Sequence, residues 1–270
     1  MHHVFIRKEQ LSEDGKVLRL TGDDFHHVTH VLRMKEGEEL SASLLTAEEN
    51  AGKEDVPSSV EYRFGIEAIA QDHILCRLRF IKEENRELPA RITLLQCLPK
   101  GDKMESVVQK AVELGAYDIL PVAAKRCVVK LDETKAQAKV RRWQKIAEAA
   151  AMQSKRGIIP QVRQVQSVAD AIASVAEYDL KLIPYELAAY DGTGDAERQT
   201  GMQETRTLMQ GVGDAKRIAV FIGPEGGFEE SEVEQSKNAG FHAITLGKRI
   251  LRTETAGPAV LAWLMFLLES

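Results

Sequence analysis

The chain has 270 residues, 44% of them hydrophobic, and a formal net charge of −5. That length suits one large domain or two modest ones with a substantial core. The apolar run from Ala259 to Leu268 is too short to span a bilayer, and the negative balance argues against a protein that coats nucleic acid through many phosphate contacts, though not against a local basic face.

The opening Met1-His2-His3-Val4-Phe5-Ile6-Arg7-Lys8 shows no charged leader followed by an apolar core and a cleavage site, so a cytoplasmic protein is expected. Residues 1 to about 85 carry short apolar runs, Val17 to Leu20 and Ile74 to Phe80, which predict strands of a small barrel. Between them Thr46 to Ser59 is polar and reads as a mobile loop. The charged segment Lys82 to Pro89 ends in proline and marks a linker.

From Arg91 onward strands alternate with helices. Ile92 to Leu98 and Ile119 to Val122 read as strands; Val107, Val108, Ala111, Val112 and Leu114 recur at helical spacing and stop at Gly115. Val140, Trp143, Ala147 and Ala150 line one face of a longer helix whose other face is basic. Further strands are expected at Leu180 to Ile183, Arg217 to Ile222 and Ala243 to Leu246, with a last helix from about Thr255 to Leu268. This alternation predicts an α/β domain, residues 90–270, with a mostly parallel sheet, following a domain over 1–85. Leu187 to Lys216 reads as a polar surface insertion, part helical, without legible chemistry.

Two loops stand out. Phe221-Ile222-Gly223-Pro224-Glu225-Gly226-Gly227-Phe228 leaves a buried strand and enters a helix near Ser231; its glycines permit close backbone approach to a ligand, or simply a tight turn. Leu246-Gly247-Lys248-Arg249-Ile250-Leu251-Arg252-Thr253-Glu254-Thr255-Ala256 repeats the arrangement. Ile250 and Leu251 suit the wall of an adenine pocket, or a plug into the core. Neither loop has the spacing of a dinucleotide fold, a Walker A loop or a nucleophile elbow. Cys76, Cys97 and Cys127 are too scattered for a disulfide framework or zinc cage and read as buried hydrophobes. His26, His27 and His30 lack a further ligand for a metal, and none is expected.

These two loops, with Lys103-Met104-Glu105, Gln109 to Gly115, Glu148 to Arg156 and His26-His27 followed by Val31-Leu32-Arg33, resemble the RsmE family of 16S ribosomal RNA uridine-N3 methyltransferases over nearly the whole chain. The resemblance implies an N-terminal PUA-like β-barrel that binds RNA and a C-terminal SPOUT domain with a deep trefoil knot, usually a homodimer. S-adenosyl-L-methionine is the implied cofactor, and 16S rRNA in the small ribosomal subunit the implied partner. Its site would use Gly223, Pro224, Glu225, Gly226, Gly227, Leu246, Gly247, Ile250, Leu251, Arg252, Thr255 and Ala256.

Methyl transfer to N3 needs in-line geometry and help for the departing proton. Arg252 is the expected stabiliser of the uridine anion and Glu254 a candidate base, unless the two pair with each other. Glu225 faces the cofactor or merely favours a helix N-terminus. Candidate RNA contacts are Arg7, Arg33, Lys103, Lys110, Arg126, Gln153, Lys155 and Arg156. Competing readings are another SPOUT RNA methyltransferase, acting on ribose 2′-O or a different base, and a noncatalytic RNA-binding assembly factor.

Overall fold

The computed structural model describes residues 2–45, 60–83, 86–185 and 195–269, the side chains of 195–200 excepted. The expected loop from Thr46 to Ser59 and the Asp191-Gly192-Thr193-Gly194 stretch lie outside the described residues. The chain forms two compact units: Met1–Glu87 together with Ala151–Ile159, and Leu88–Ala150 together with Pro160–Ser270.

The first unit is built on one sheet in the order β1-β3-β4-β5-β2. Its strands are β1 (His2–Ile6), β2 (Val17–Thr21), β3 (Glu39–Leu44), β4 (Val60–Ile69) and β5 (His73–Glu83). β1 and β3 are parallel and the other pairs antiparallel. Alternate side chains point to one face: Val4 and Ile6, Leu18 and Leu20, Leu40 and Ala42, Phe64 and Ile66, Ile74 and Cys76 are all buried in a single cluster. Because the edge strands β1 and β2 both feed that cluster, the sheet curls into a half-barrel. Irregularities at Arg63/Phe64 and Ile66/Ala68 supply the local bend. Helix α1 (Gly22–His26) runs into a wider π turn at His27–Val31 and places Val28 in the same core. Arg33, just beyond it, adopts the left-handed conformation at φ 53°.

The second unit has a parallel sheet in the order β12-β10-β11-β6-β7-β8, with β9 also paired to β7. Its strands are β6 (Arg91–Cys97), β7 (Asp118–Ala123), β8 (Gln161–Val162), β9 (Gln166–Ser167), β10 (Leu180–Pro184), β11 (Arg217–Ile222) and β12 (His242–Ile244). The central β6 and β11 are buried almost without interruption, as expected of strands covered on both faces.

The helices are α2 (Lys103–Glu113), α3 (Glu133–Ser154), α4 (Val168–Ser174), α5 (Asp195–Gln210), α6 (Glu230–Asn238) and α7 (Thr253–Leu268). α2 stops at Gly115, whose φ of +88° and closeness to Leu88 leave no room for a Cβ. α6 is opened by a reciprocal pair, Glu229 and Glu232, each side chain bonding the other's backbone amide. α7 packs against α2 and β11, burying Ala256, Val260, Leu261 and Leu264. β12 is shorter than its apolar run suggested, which frees Thr245 and Leu246 for the loop that follows.

Candidate active site

β10 lies between β11 and β12, so the three carboxyl ends sit side by side on one edge of the parallel sheet. The loop after β11 (residues 223–229), the loop after β12 (245–252) and the Pro184-Tyr185 end of β10 enclose a cavity of about 960 Å³. Such crevices beyond strand ends are the usual ligand sites of open α/β sheets. Of the residues expected there, Gly223, Pro224, Glu225, Gly226, Gly227, Leu246, Gly247, Ile250, Leu251, Arg252 and Ala256 line the cavity. Glu254 and Thr255 are not part of its lining.

The first loop is shaped by its glycines. A Cβ on Gly223 would stand 3.1 Å from the Phe228 ring, which is buried edge-on against Phe221. In the second loop Gly247 has φ +102°, a conformation other residues rarely adopt. Beyond it Ile250 is 77% exposed, a large apolar side chain at the cavity rather than a plug into the core.

Two connections join the first loop to the start of α7, into which the second loop runs. The Thr253 hydroxyl donates to the Gly223 carbonyl at 2.6 Å and accepts from Gln96 Nε2 at 2.9 Å, with Gln96 fully buried. Lys103 Nζ stands 3.1 Å from Glu225 Oε1 and 3.3 Å from Glu254 Oε2. Glu225 also accepts the Lys100 amide at 3.0 Å. Desolvation pulls the Glu225 carboxyl upward, but the Lys100 amide, its own backbone amide and Lys103 together outweigh this, so its pKa lies below the ordinary carboxylate value. The Lys103 ammonium is held above its usual value, chiefly by the hydrogen bond to Glu225.

Several expected roles change with this geometry. Lys103, taken from sequence as a phosphate contact, is engaged by two carboxylates. Glu254 pairs with Lys103 rather than with Arg252. Arg252 itself is exposed at the start of α7, and no described residue hydrogen-bonds or ion-pairs with its side chain. Arg156 is corrected outright: it is 4% exposed and its guanidinium is bound to the buried Glu87 carboxylate, leaving no face for RNA. Arg7, Arg33, Lys110 and Gln153 are exposed, Lys155 is half-buried at φ 56°, and Arg126 lines the cavity while donating to the Gly226 carbonyl at 3.3 Å.

Sequence reasoning missed the contribution of the polar insertion. Met202, Gln203 and Arg206 of α5 line the cavity, and buried Thr205 accepts the Thr245 amide at 3.1 Å. Nothing in the local pattern of α5 announces this, because its few apolar residues are diluted among polar ones.

The profile of an RNA methyltransferase domain matches residues 86–265, and that of an RNA methyltransferase PUA domain matches residues 20–44. Ribosomal RNA small subunit methyltransferase E of Bacillus subtilis is 32% identical over 255 residues, covering 94% of this chain and 91% of the relative. This chain belongs to the RsmE family of RNA methyltransferases.

Solved structures agree with that membership. A methyltransferase from Legionella pneumophila, in complex with the bound cofactor SAM, superposes with TM-score 0.76 at 32% identity, covering 97% of this chain and 96% of that one. Ribosomal RNA small subunit methyltransferase E from Neisseria gonorrhoeae, bound to S-adenosyl methionine, gives TM-score 0.74 at 28% identity over 97% and 95% of the two chains. The half-barrel is thus an RsmE PUA domain and the parallel unit a SPOUT methyltransferase domain. Among the described residues no helix is long and apolar enough to cross a membrane, and no cluster of three metal-binding side chains occurs.

Proposed function

We propose that this RsmE member transfers the methyl group of S-adenosylmethionine to N3 of a specific uridine in 16S ribosomal RNA. The observation that carries the reading is the single cavity enclosed by both glycine loops in a chain of this family. The lining suits the donor. Glycine backbone at 223, 226, 227 and 247 permits close approach, and Leu246, Ile250 and Leu251 offer apolar surface to an adenine ring.

When bound, the donor supplies an electrophilic methyl group on a sulfonium. The protein's part would be to orient the donor toward the attacking nitrogen, and the backbone of residues 223–227 and 246–251, carried on two strand ends, would hold it. Arg252 presents its cation to the target, where it stabilises the negative charge that develops as the N3 proton departs to water. Glu254 was the candidate base; it is not part of the cavity lining, and its ion pair with Lys103 gives it a holding role instead.

The same reading assigns Arg7, Arg33, Lys110, Arg126, Gln153 and Lys155 to RNA contact. It takes the C-terminal segment as threaded into a knot. It also pairs two copies through the C-terminal unit, where Phe266 is 74% exposed, and places the protein in the cytoplasm with its ribosomal substrate.

Mass spectrometry of nucleosides in 16S rRNA from cells with and without the protein tests the reaction. Loss of N3-methyluridine in the deletion strain is expected. An unchanged nucleoside profile, with a folded protein that shows no heat of S-adenosylmethionine binding in calorimetry, would leave only the assembly-factor reading.

A further inference from the structure

Lys103 does not belong to the cavity lining, yet it touches both segments that form it. It opens α2, directly after the turn that ends β6. Its ammonium meets Glu225 of the first loop at 3.1 Å and Glu254 of the first turn of α7 at 3.3 Å. The Glu225 carboxylate is fixed a second time by the Lys100 amide of the same turn. The three side chains are partly sheltered, at 31%, 24% and 23% exposure, so the pairs are less screened than open surface pairs.

Without that cation, two carboxylates, one from the first loop and one from the start of α7, would share one region and repel. With it, the loops are drawn to a common point on α2. The buried Gln96-Thr253-Gly223 chain already joins the loops on the inner side. The Lys103 bridge joins them on the outer side, through Glu225, which is itself a cavity residue.

We propose that Lys103 is a positioning residue for the methyl donor: by holding Glu225 and Glu254 together it sets the spacing of the two loops between which S-adenosylmethionine binds. The proposal rests on the donor reading of the cavity. It predicts a defect in donor binding rather than in RNA binding, because the ammonium is committed to protein carboxylates. It also predicts that positive charge, not lysine as such, is what matters, since an arginine fork can serve two carboxylates.

The test measures donor affinity by calorimetry, steady-state kinetics and RNA affinity as a function of salt for wild type, Lys103→Ala, Lys103→Arg and Glu254→Gln. For Lys103→Ala the donor Kd and KM should rise about five- to tenfold with a smaller change in kcat. Lys103→Arg should recover most of this. Glu254→Gln, which removes one arm and keeps the shape, should show a smaller rise, and combining it with Lys103→Ala should add less than the sum. RNA affinity and its salt slope should be unchanged.

Donor binding at wild-type strength in Lys103→Ala overturns the proposal. So does a fall in RNA affinity with a salt slope shallower by about one, which would mark a phosphate contact. If Lys103→Ala does not fold, Glu254→Gln and Lys103→Arg decide by the same readouts. Failure of wild type to bind the donor would instead remove the donor reading itself.

Discussion

Arg252 combines exposure, a place in the cavity wall and a guanidinium that no described side chain neutralises. A cation left unspent beside a ligand site has its charge available for a developing anion. Arg252→Ala is therefore expected to lower methylation of small subunits about 10²- to 10³-fold, with thermal unfolding unchanged; turnover near wild type would remove the role. Gly223→Ala tests the other half of the site. Its new methyl would press on Phe228 at 3.1 Å, and Phe228 is backed by Phe221. A stability loss of about 1–3 kcal/mol is expected, with weaker donor binding in calorimetry. At this scale the glycines were legible as sharp turns at strand ends, with a ligand loop or a plain turn left open, and Arg252 was singled out only after the family resemblance. The role of Lys103 could not be read from sequence, since its partner Glu225 lies 122 residues away and becomes a neighbour only through the fold. Arg156 misled for the converse reason: arginine usually faces solvent, and only the fold reveals the Glu87 carboxylate that buries it.

Helix α5 shows how an element can be visible while its purpose is not. A partly helical insertion was expected between Leu187 and Lys216, and a helix occupies Asp195–Gln210. Its role depends on docking, which hangs on Thr205, 3% exposed, accepting the amide of Thr245. A threonine in a polar helix carries no mark of that bond. Thr205→Val keeps the shape and strands a buried amide, so a loss of about 1–3 kcal/mol is expected in chemical denaturation. Donor affinity should fall as well, since Met202, Gln203 and Arg206 ride on the same helix; an unchanged Kd would show that α5 is only a cover. The strands were more legible. β11 is apolar after Arg217, β6 is mostly apolar but interrupted by buried Thr93 and Gln96, and β2 alternates, patterns that follow from burial on two faces or one.

The molecule as a whole combines a half-barrel with a parallel α/β unit, and the change from short apolar runs to alternating strands and helices foreshadows both. The inclusion of Ala151–Ile159 in the first unit has no such sign, because the α3 pattern passes Ala150 without a break. Stability should respond to acid through His3. Burial is the main cause that lowers its pKa from 6.5 to about 4, so the folded protein keeps the ring neutral while the unfolded chain protonates it. The contribution is complete above pH 6.5 and is lost as the pH falls toward 4, by roughly 3 kcal/mol in total. Urea titrations across that range should show the decline, and His3→Gln should flatten it.

One feature of the donor cavity bears on how the protein is made. Its walls come from Arg126, from the ends of β10 and β11, from α5 and from residues 245–256, which are made after every strand of the parallel sheet. A nascent chain can complete the half-barrel and much of the parallel sheet while still having nowhere to hold an adenosyl group. Methyl-donor capture is thereby postponed until residues 245–256 have been made and have folded against the loop that follows β11.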